Sequence, residues 1–142
     1  MKTMPEIRDE RSLVIDAFNR LKKESIQFVC CEVPLLGRCI DLAFMVEESL
    51  FSVEFKLHNW RKAIQQARDH RLGADFAYIC MPEREVTSQM RDEFNEAGVG
   101  LMFYKKSKGW PFKEIIKAPK SKETWSVARS DLTEYIQCLQ EI

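Results

Sequence analysis

Two neighbouring segments with alternating apolar residues, joined by a very short polar connection, constrain the fold more than any other feature of the sequence. Residues 38–46 read RCIDLAFMV and residues 50–57 read LFSVEFKL, with Glu47, Glu48 and Ser49 between them. Because side chains alternate between the two faces of a strand, this period of two predicts two β-strands. The short connection predicts that the strands pair as an antiparallel hairpin.

The register of this hairpin brings polar side chains together. A two-residue loop at positions 47–48 places Asp41 directly opposite Glu54. Directly opposed residues share a face, with Cβ atoms about 5 Å apart, so we expect Asp41, Glu54 and Lys56 on one face. A loop one residue longer would shift the register unless a bulge restored it. The other face is predicted to carry the apolar residues Ile40, Leu42, Phe44, Phe51, Val53 and Phe55.

Two carboxylates at this separation repel each other unless a cation lies between them. Lys56 is one such cation, and a divalent metal ion is another. Mg²⁺ prefers about six oxygen ligands at roughly 2.1 Å, and it polarises a phosphoryl oxygen and acidifies bound water. The spacing therefore fits metal-assisted hydrolysis of a phosphodiester. The alternative interpretation is a solvated ion pair that contributes less than about 1 kcal/mol.

The rest of the chain predicts one mixed α/β domain over residues 1–142. We expect a helix, a meander of three strands, and then helix, strand, helix and strand. Asn59 is the predicted N-cap of the second helix, and Gly73 its end. The Lys-rich segment 105–122 is predicted to be irregular. The predicted helices are 6–24, 59–72, 83–97 and the last 18 or so residues, and the predicted strands are 26–35, 38–46, 50–57, 74–81 and 99–105.

The stretch from Gly37 to Leu57, GRCIDLAFM…LFSVEFKL, resembles the Asp…Glu-x-Lys core of the PD-(D/E)xK nuclease superfamily. That superfamily includes restriction endonucleases, Holliday junction resolvases and repair nucleases. The resemblance covers roughly residues 6–104 and implies a restriction-endonuclease-like αβββαβ core, with a mixed central sheet flanked by helices. It departs from the signature at Ile40, which stands where many members have proline.

The resemblance implies a role for each residue of the signature. Asp41 and Glu54 would bind the metal ion, helped by the backbone carbonyl of Phe55. Lys56 would orient or activate the attacking water. The implied cofactor is Mg²⁺, for which Mn²⁺ can substitute.

Further members of the site are implied by residues around the signature. Many superfamily members add a glutamate from the first helix, and Glu10 is the best placed here, with Glu6 second. Gln66 matches a glutamine that often follows the lysine, and His70 falls where some members have tyrosine. Glu32, in the first predicted strand, is a further candidate. The alternative for each is an exposed or structural side chain without a role in the site.

Two groups of basic residues are candidate nucleic-acid contacts. Cations interleaved with aromatic residues suit a phosphate backbone and unstacked bases, although such segments also serve as solubilising surface. Because 22 basic residues balance 22 acidic residues, the sequence excludes a uniformly basic surface but not a local patch. The candidates are Arg61, Lys62 and Arg68 in the second predicted helix, and Lys105 and Lys106 beside Trp110 and Phe112.

Several other classes are disfavoured. No phosphate-binding glycine loop occurs, so a P-loop nucleotide hydrolase is excluded. His58 and His70 could join the carboxylates at a transition-metal site, although their spacing matches no compact zinc motif. The five cysteines form no C-x-x-C pair and are expected to be reduced thiols. With no apolar run near 20 residues and no signal-peptide pattern, we expect a cytoplasmic protein without membrane contact.

The sequence thus predicts a metal-dependent nuclease, an endonuclease or an exonuclease of structure-specific, repair or defence type. DNA is the expected substrate in preference to RNA, and a homodimer or a larger complex is expected. The main alternative is a catalytically inactive nuclease-like module that binds nucleic acid or a protein. A third interpretation is an α/β interaction domain in which Asp41, Glu54 and Lys56 are structural.

Overall fold

A computed structural model describes residues 9–139, which form a six-stranded mixed sheet flanked by four helices. The helices are α1 (Glu10–Lys23), α2 (Trp60–His70), α3 (Ser88–Ala97) and α4 (Ser126–Leu139). The strands are β1 (Phe28–Leu35), β2 (Arg38–Val46), β3 (Ser49–Phe55), β4 (Phe76–Met81), β5 (Gly100–Tyr104) and β6 (Phe112–Ile116). The strands lie side by side in chain order, with β3, β4 and β5 parallel and the other neighbours antiparallel. This arrangement is the mixed α/β sheet that the sequence predicts. Over residues 9–139, no helix has the length and apolar character needed to span a bilayer.

The helices divide between the two faces of the sheet. On one face, α1 buries its apolar residues against side chains such as Phe44 and Phe55. On the other face, α2 and α3 pack against β4 and β5, and α4 packs against β1 and β2. The sheet is therefore buried on both faces, as expected for parallel strands with crossover helices.

Helix α1 begins at Glu10 because Asp9 caps it, accepting a hydrogen bond from the Ser12 amide at 2.7 Å. The helical period of Leu13, Val14, Ala17 and Leu21 places these residues in the core. The predicted helix 6–24 is thus confirmed from Glu10 to Lys23. Its first residues, with Glu6, lie outside the described residues.

The predicted hairpin register is confirmed. Val46 pairs with Ser49, and the ladder continues to the pair Leu42–Val53. The connection is the two-residue loop at positions 47–48, in which Glu47 adopts a left-handed φ of 58°. The alternation of β3 then places Ser52 and Glu54 on the face opposite Val53 and Phe55.

The predicted face of Ile40 is wrong. Ile40 packs with Ala43 and Leu50, whereas Leu42 packs with the apolar cluster on the other face of the sheet. Glu32 faces this point from β1 and has a φ of 51°, a conformation rarely adopted by residues other than glycine. Its left-handed backbone turns the end of the β1–β2 hairpin, so residues beyond it change face.

The prediction that segment 105–122 is irregular is wrong for residues 112–116, which form β6. Phe112 pairs with Tyr104 in an antiparallel ladder, and a register shift lies farther along the two strands. Phe112 and Ile116 are buried, whereas Lys113 is exposed. A strand of five residues that follows a proline is too short to show a clear alternation of apolar residues in the sequence. Its formation depends on its pairing with β5.

Two helix starts also differ from expectation. Asn59 precedes α2 as predicted, but its side chain forms no capping hydrogen bond and its φ is 54°. Helix α3 begins at Ser88 rather than at position 83. The hydroxyl of Thr87 caps it there, accepting a hydrogen bond from the Met90 amide at 3.1 Å.

The loop between β5 and β6, residues 105–111, is fixed to α1 by Arg20. This guanidinium donates hydrogen bonds to the carbonyl oxygens of Lys105 at 2.5 Å and Gly109 at 3.0 Å, and also to those of Ser107 and Trp110. The Arg20 side chain is only 11% exposed. One buried cation therefore satisfies several main-chain acceptors and holds the loop in one conformation.

Replacing Arg20 with methionine is expected to lower the free energy of unfolding by about 2–3 kcal/mol, because hydrogen bonds to a charged group contribute roughly 1.5–3 kcal/mol. Urea denaturation measures this change. Lys23→Met, at an exposed position of the same helix, is the matched control and is expected to lie within about 0.5 kcal/mol of wild type. An Arg20→Met variant as stable as its control would contradict the anchoring role.

Candidate active site

The two predicted carboxylates meet where β2 separates from β3. The main-chain ladder ends at Leu42–Val53, and beyond it Asp41 Oδ2 accepts a hydrogen bond from the Phe55 amide at 2.9 Å. A side-chain oxygen thus replaces a main-chain acceptor at this position. The bond fixes the Asp41 carboxylate beside the end of β3 and satisfies an amide that the sheet no longer pairs.

Asp41 and Glu54 lie within hydrogen-bonding reach of each other. Glu54 is only 5% exposed, and burial, followed by the charge of Asp41, raises its pKa to about 8. Burial also raises the pKa of Asp41, although the hydrogen bond from the Phe55 amide opposes this effect. Without a cation, the raised pKa of Glu54 therefore favours one proton retained on the pair at neutral pH.

One oxygen of Glu54 has no partner. Its Oε2 atom is buried and accepts no hydrogen bond. An unsatisfied buried acceptor costs about 1–3 kcal/mol. Water or a bound cation would remove this cost, and a divalent cation would also replace the proton that the carboxylates share. This unsatisfied oxygen is the strongest indication of a ligand at the site.

The donor set fits a hard divalent cation such as Mg²⁺, because it consists of carboxylate oxygens. Within residues 9–139, no group of three or more His, Cys, Asp or Glu side chains is arranged to bind a metal ion. Asp41 and Glu54 would therefore have to be completed by main-chain oxygen and water. Phe55, whose carbonyl is the predicted third ligand, is the residue whose amide binds Asp41.

A cleft of about 350 Å³ opens onto the carboxylates between α1 and the first three strands. Glu10, the first residue of α1, lines this cleft, and its Oε1 atom accepts a hydrogen bond from the Leu57 amide at 3.4 Å. The predicted glutamate of the first helix thus lies at the site. The remaining cleft residues are Arg11, Val14, Ile15, Cys31, Glu32, Asp41 and Glu54.

An ion pair joins the two sides of this cleft. Arg11 Nη1 lies 2.6 Å from Glu32 Oε1, and both side chains are largely exposed, so the pair contributes little stability. Sequence reasoning did not identify Arg11 or Cys31, although Arg11 directly follows Glu10. Burial is the largest cause that raises the pKa of Cys31 to about 11, so its thiol is neutral. Neither residue has a sequence pattern that distinguishes it from an ordinary helix or core residue.

Lys56 lies just beyond the end of β3, where its amide donates to the Cys80 carbonyl at 3.0 Å. Its charge lowers the pKa of both Asp41 and Glu54, but less than burial raises them. Among the described residues, Lys56 forms no ion pair within 4.0 Å. The side chain is half-buried. Its ammonium therefore lies near the carboxylates without neutralising them by direct contact.

Gln66 does not line the cleft. It is half-buried on α2, and its Oε1 atom is buried without a hydrogen-bond partner. His70 is 2% exposed, and burial lowers its pKa to about 4, so its imidazole is neutral near pH 7. His58 is exposed. The structure does not bring these three residues into the carboxylate cleft.

The arginines of α2 occupy a surface of mixed charge. Arg61 pairs with Glu93 of α3 at 3.2 Å. Arg61 and Arg68 line one hollow with Glu93 and Glu96. Lys62 is exposed nearby on the same helix. Within this hollow, two carboxylates thus balance the two arginines, so the hollow itself has no net positive charge.

Lys105 and Lys106 are placed differently. Both are exposed and directly follow β5. Because β3, β4 and β5 are parallel, their carboxyl ends lie at the same end of the sheet. Glu54 and Lys56 lie at this end too. Clefts outside the carboxyl ends of such strands are common ligand sites. Lys105, Lys106 and the carboxylates thus lie at the same end of the sheet.

In the absence of divalent cations, the melting temperature is expected to fall by several degrees between pH 6.5 and 8. The pKa of Glu54, raised to about 8 from an ordinary value of 4.5, means that the native state holds a proton that the unfolded state has lost. Stability therefore decreases as pH rises through this window. Calorimetry in EDTA should show a flatter profile for Glu54→Gln. The exposed Glu96→Gln is the matched control, and the account is contradicted if it flattens the profile equally.

Scans of the chain against known protein families, curated proteins and solved structures found no match.

Proposed function

We propose that this protein is a metal-dependent nuclease with a restriction-endonuclease-like core of the PD-(D/E)xK type. The order α1, β1–β3 meander, α2 and β4 parallel to β3 supports the proposed core. The proposed substrate is DNA, and the proposed cofactor is Mg²⁺, with Mn²⁺ as a substitute. The reaction is hydrolysis of a phosphodiester bond.

The observation that carries this proposal is the buried, unpartnered oxygen of Glu54 beside Asp41. A purely structural cluster would be expected to satisfy that oxygen within the protein. Two carboxylates that share a proton at neutral pH constitute a site at which a divalent cation gains both ligands and charge neutralisation. The same pair lies in a cleft open to solvent, so a ligand can reach it.

Each residue has a proposed task. Asp41 and Glu54 hold the cation, and the Phe55 amide keeps Asp41 oriented. Lys56 positions the attacking water and balances the negative charge that develops on the phosphate. Glu10 extends the acidic lining of the cleft. The bound cation would supply Lewis-acid polarisation of the phosphoryl oxygen and a more acidic water.

A second candidate is a catalytically inactive module of the same fold that binds nucleic acid. Two observations favour it: Gln66 does not line the cleft, and the described residues contain no site with three or more metal-binding side chains. The two candidates differ in whether bound nucleic acid is cut.

Hydrolysis should be tested on nicked, branched, single-stranded and plasmid DNA, and on RNA, with Mg²⁺, Mn²⁺ or EDTA. We expect cutting that requires the metal and that falls at least about 100-fold in Lys56→Met and in Asp41→Asn, since each removes a group acting at the reacting phosphate. Lys122→Met, exposed and away from the cleft, should retain wild-type activity.

The absence of cutting of every substrate, or cutting that Lys56→Met and Asp41→Asn leave unchanged, would contradict the nuclease proposal. Binding of nucleic acid without cutting would identify the inactive module.

A further inference from the structure

A second polar hollow, of about 400 Å³, lies at the carboxyl ends of β4 and β5. Three lysines line it, Lys105 and Lys106 from the β5–β6 loop and Lys113 from β6, and Glu83 is the one acidic residue of its lining. The lysines therefore outnumber the acid by two charges. All four side chains belong to exposed residues, so the hollow presents positive charge to solvent.

The hollow has a fixed framework. Arg20 holds the carbonyl groups of the loop, and the Lys105 amide donates to the Pro111 carbonyl at 2.7 Å, which closes the loop at its base. Lys113 lies on the neighbouring strand, paired with Phe103. The main chain of the lysines that line the hollow is thus fixed from two separate elements. This reduces the conformational entropy lost when an anion binds.

The position of the hollow relates it to the carboxylate cleft. Glu54 and Lys105 lie at the carboxyl ends of β3 and β5, which are separated by one intervening strand. Glu54 is level with Leu101 of β5, and Lys105 lies four residues beyond Leu101. Two strand spacings of about 4.8 Å and four residues of about 3.3 Å each place Glu54 and Lys105 roughly 16 Å apart. A nucleic-acid strand advances about 3.4 Å per nucleotide in a duplex, so this distance corresponds to about five nucleotides.

We propose that the hollow formed by Lys105, Lys106 and Lys113 binds a backbone phosphate of the substrate strand, about five nucleotides from the bond cut beside Asp41 and Glu54. This inference rests on the proposed nuclease function. The ammonium groups act as point charges on the phosphate and carry no base specificity. The subsite makes the enzyme favour a polynucleotide over a small phosphodiester, and it allows a chain of zero net charge to bind nucleic acid locally.

Binding of fluorescein-labelled DNA in EDTA tests the subsite separately from cutting. The double variant Lys105→Gln/Lys113→Gln is expected to bind a 12-nucleotide strand about tenfold more weakly, and the slope of log K against log salt should fall in magnitude by about two. The matched control is Lys117→Gln/Lys120→Gln. These two exposed lysines follow β6, which runs antiparallel to β5 and therefore finishes at the opposite end of the sheet. The affinity of this control variant for the strand should stay within about twofold of wild type.

Strand length supplies a second measurement. Dinucleotides cannot span the two sites, so the double variant and wild type should bind them equally, whereas strands of six or more nucleotides should distinguish the two proteins.

Equal affinity of the double variant and wild type for the long strand, or an equal loss in the control, would overturn the proposal. Millimolar inorganic phosphate that displaces the long strand completely would overturn it too, by identifying a small-anion site. Lysine-dependent binding without any cutting would preserve the subsite and refute the nuclease function.

Discussion

The geometry of the candidate site depends on the hydrogen bond from the Phe55 amide to the Asp41 carboxylate, where β2 leaves β3. Two paired strands normally satisfy each other's main-chain groups, and a strand that diverges leaves an amide exposed or unpaired. Here a carboxylate accepts that amide, so the divergence itself fixes the position of an acid. The neighbouring Glu54 is held by the same strand, and the two acids are thereby kept close although they repel each other.

Helix α1 connects the two sites of the protein. Its first residue, Glu10, lines the carboxylate cleft and contacts the main chain beyond β3. Ten residues later, about 15 Å along the helix axis, Arg20 holds the β5–β6 loop. The apolar face of α1 is buried against the sheet between these two points. Packing of one amphipathic helix thus fixes both the acidic cleft and the basic loop relative to the carboxyl ends of the parallel strands.

The parts of the site that sequence predicted are those set by local periodicity. The hairpin register follows from alternation and loop length, and it brings Asp41 and Glu54 together. Ile40 was misplaced because its face depends on the left-handed backbone of Glu32 in another strand. Strand β6 was missed because its formation depends on pairing with β5.

The surroundings of the site depended on contacts between distant elements. The balance of charge around Arg61 and Arg68 depends on glutamates of α3, whose position helix spacing alone does not reveal. The same holds for Gln66, whose position relative to the cleft is set by how α2 packs on the sheet. Local patterns thus predicted the acidic pair, whereas its polar and basic surroundings required the tertiary structure.

Calorimetric titration with Mn²⁺ at pH 7, in buffers of different ionisation enthalpy, tests whether Asp41 and Glu54 bind a divalent cation. Binding is expected to release about one proton, because the cation displaces the proton shared by the two carboxylates. Asp41→Asn is expected to abolish this binding. The absence of Mn²⁺ binding, binding without proton release, or equal binding by Asp41→Asn would contradict a metal site at these carboxylates.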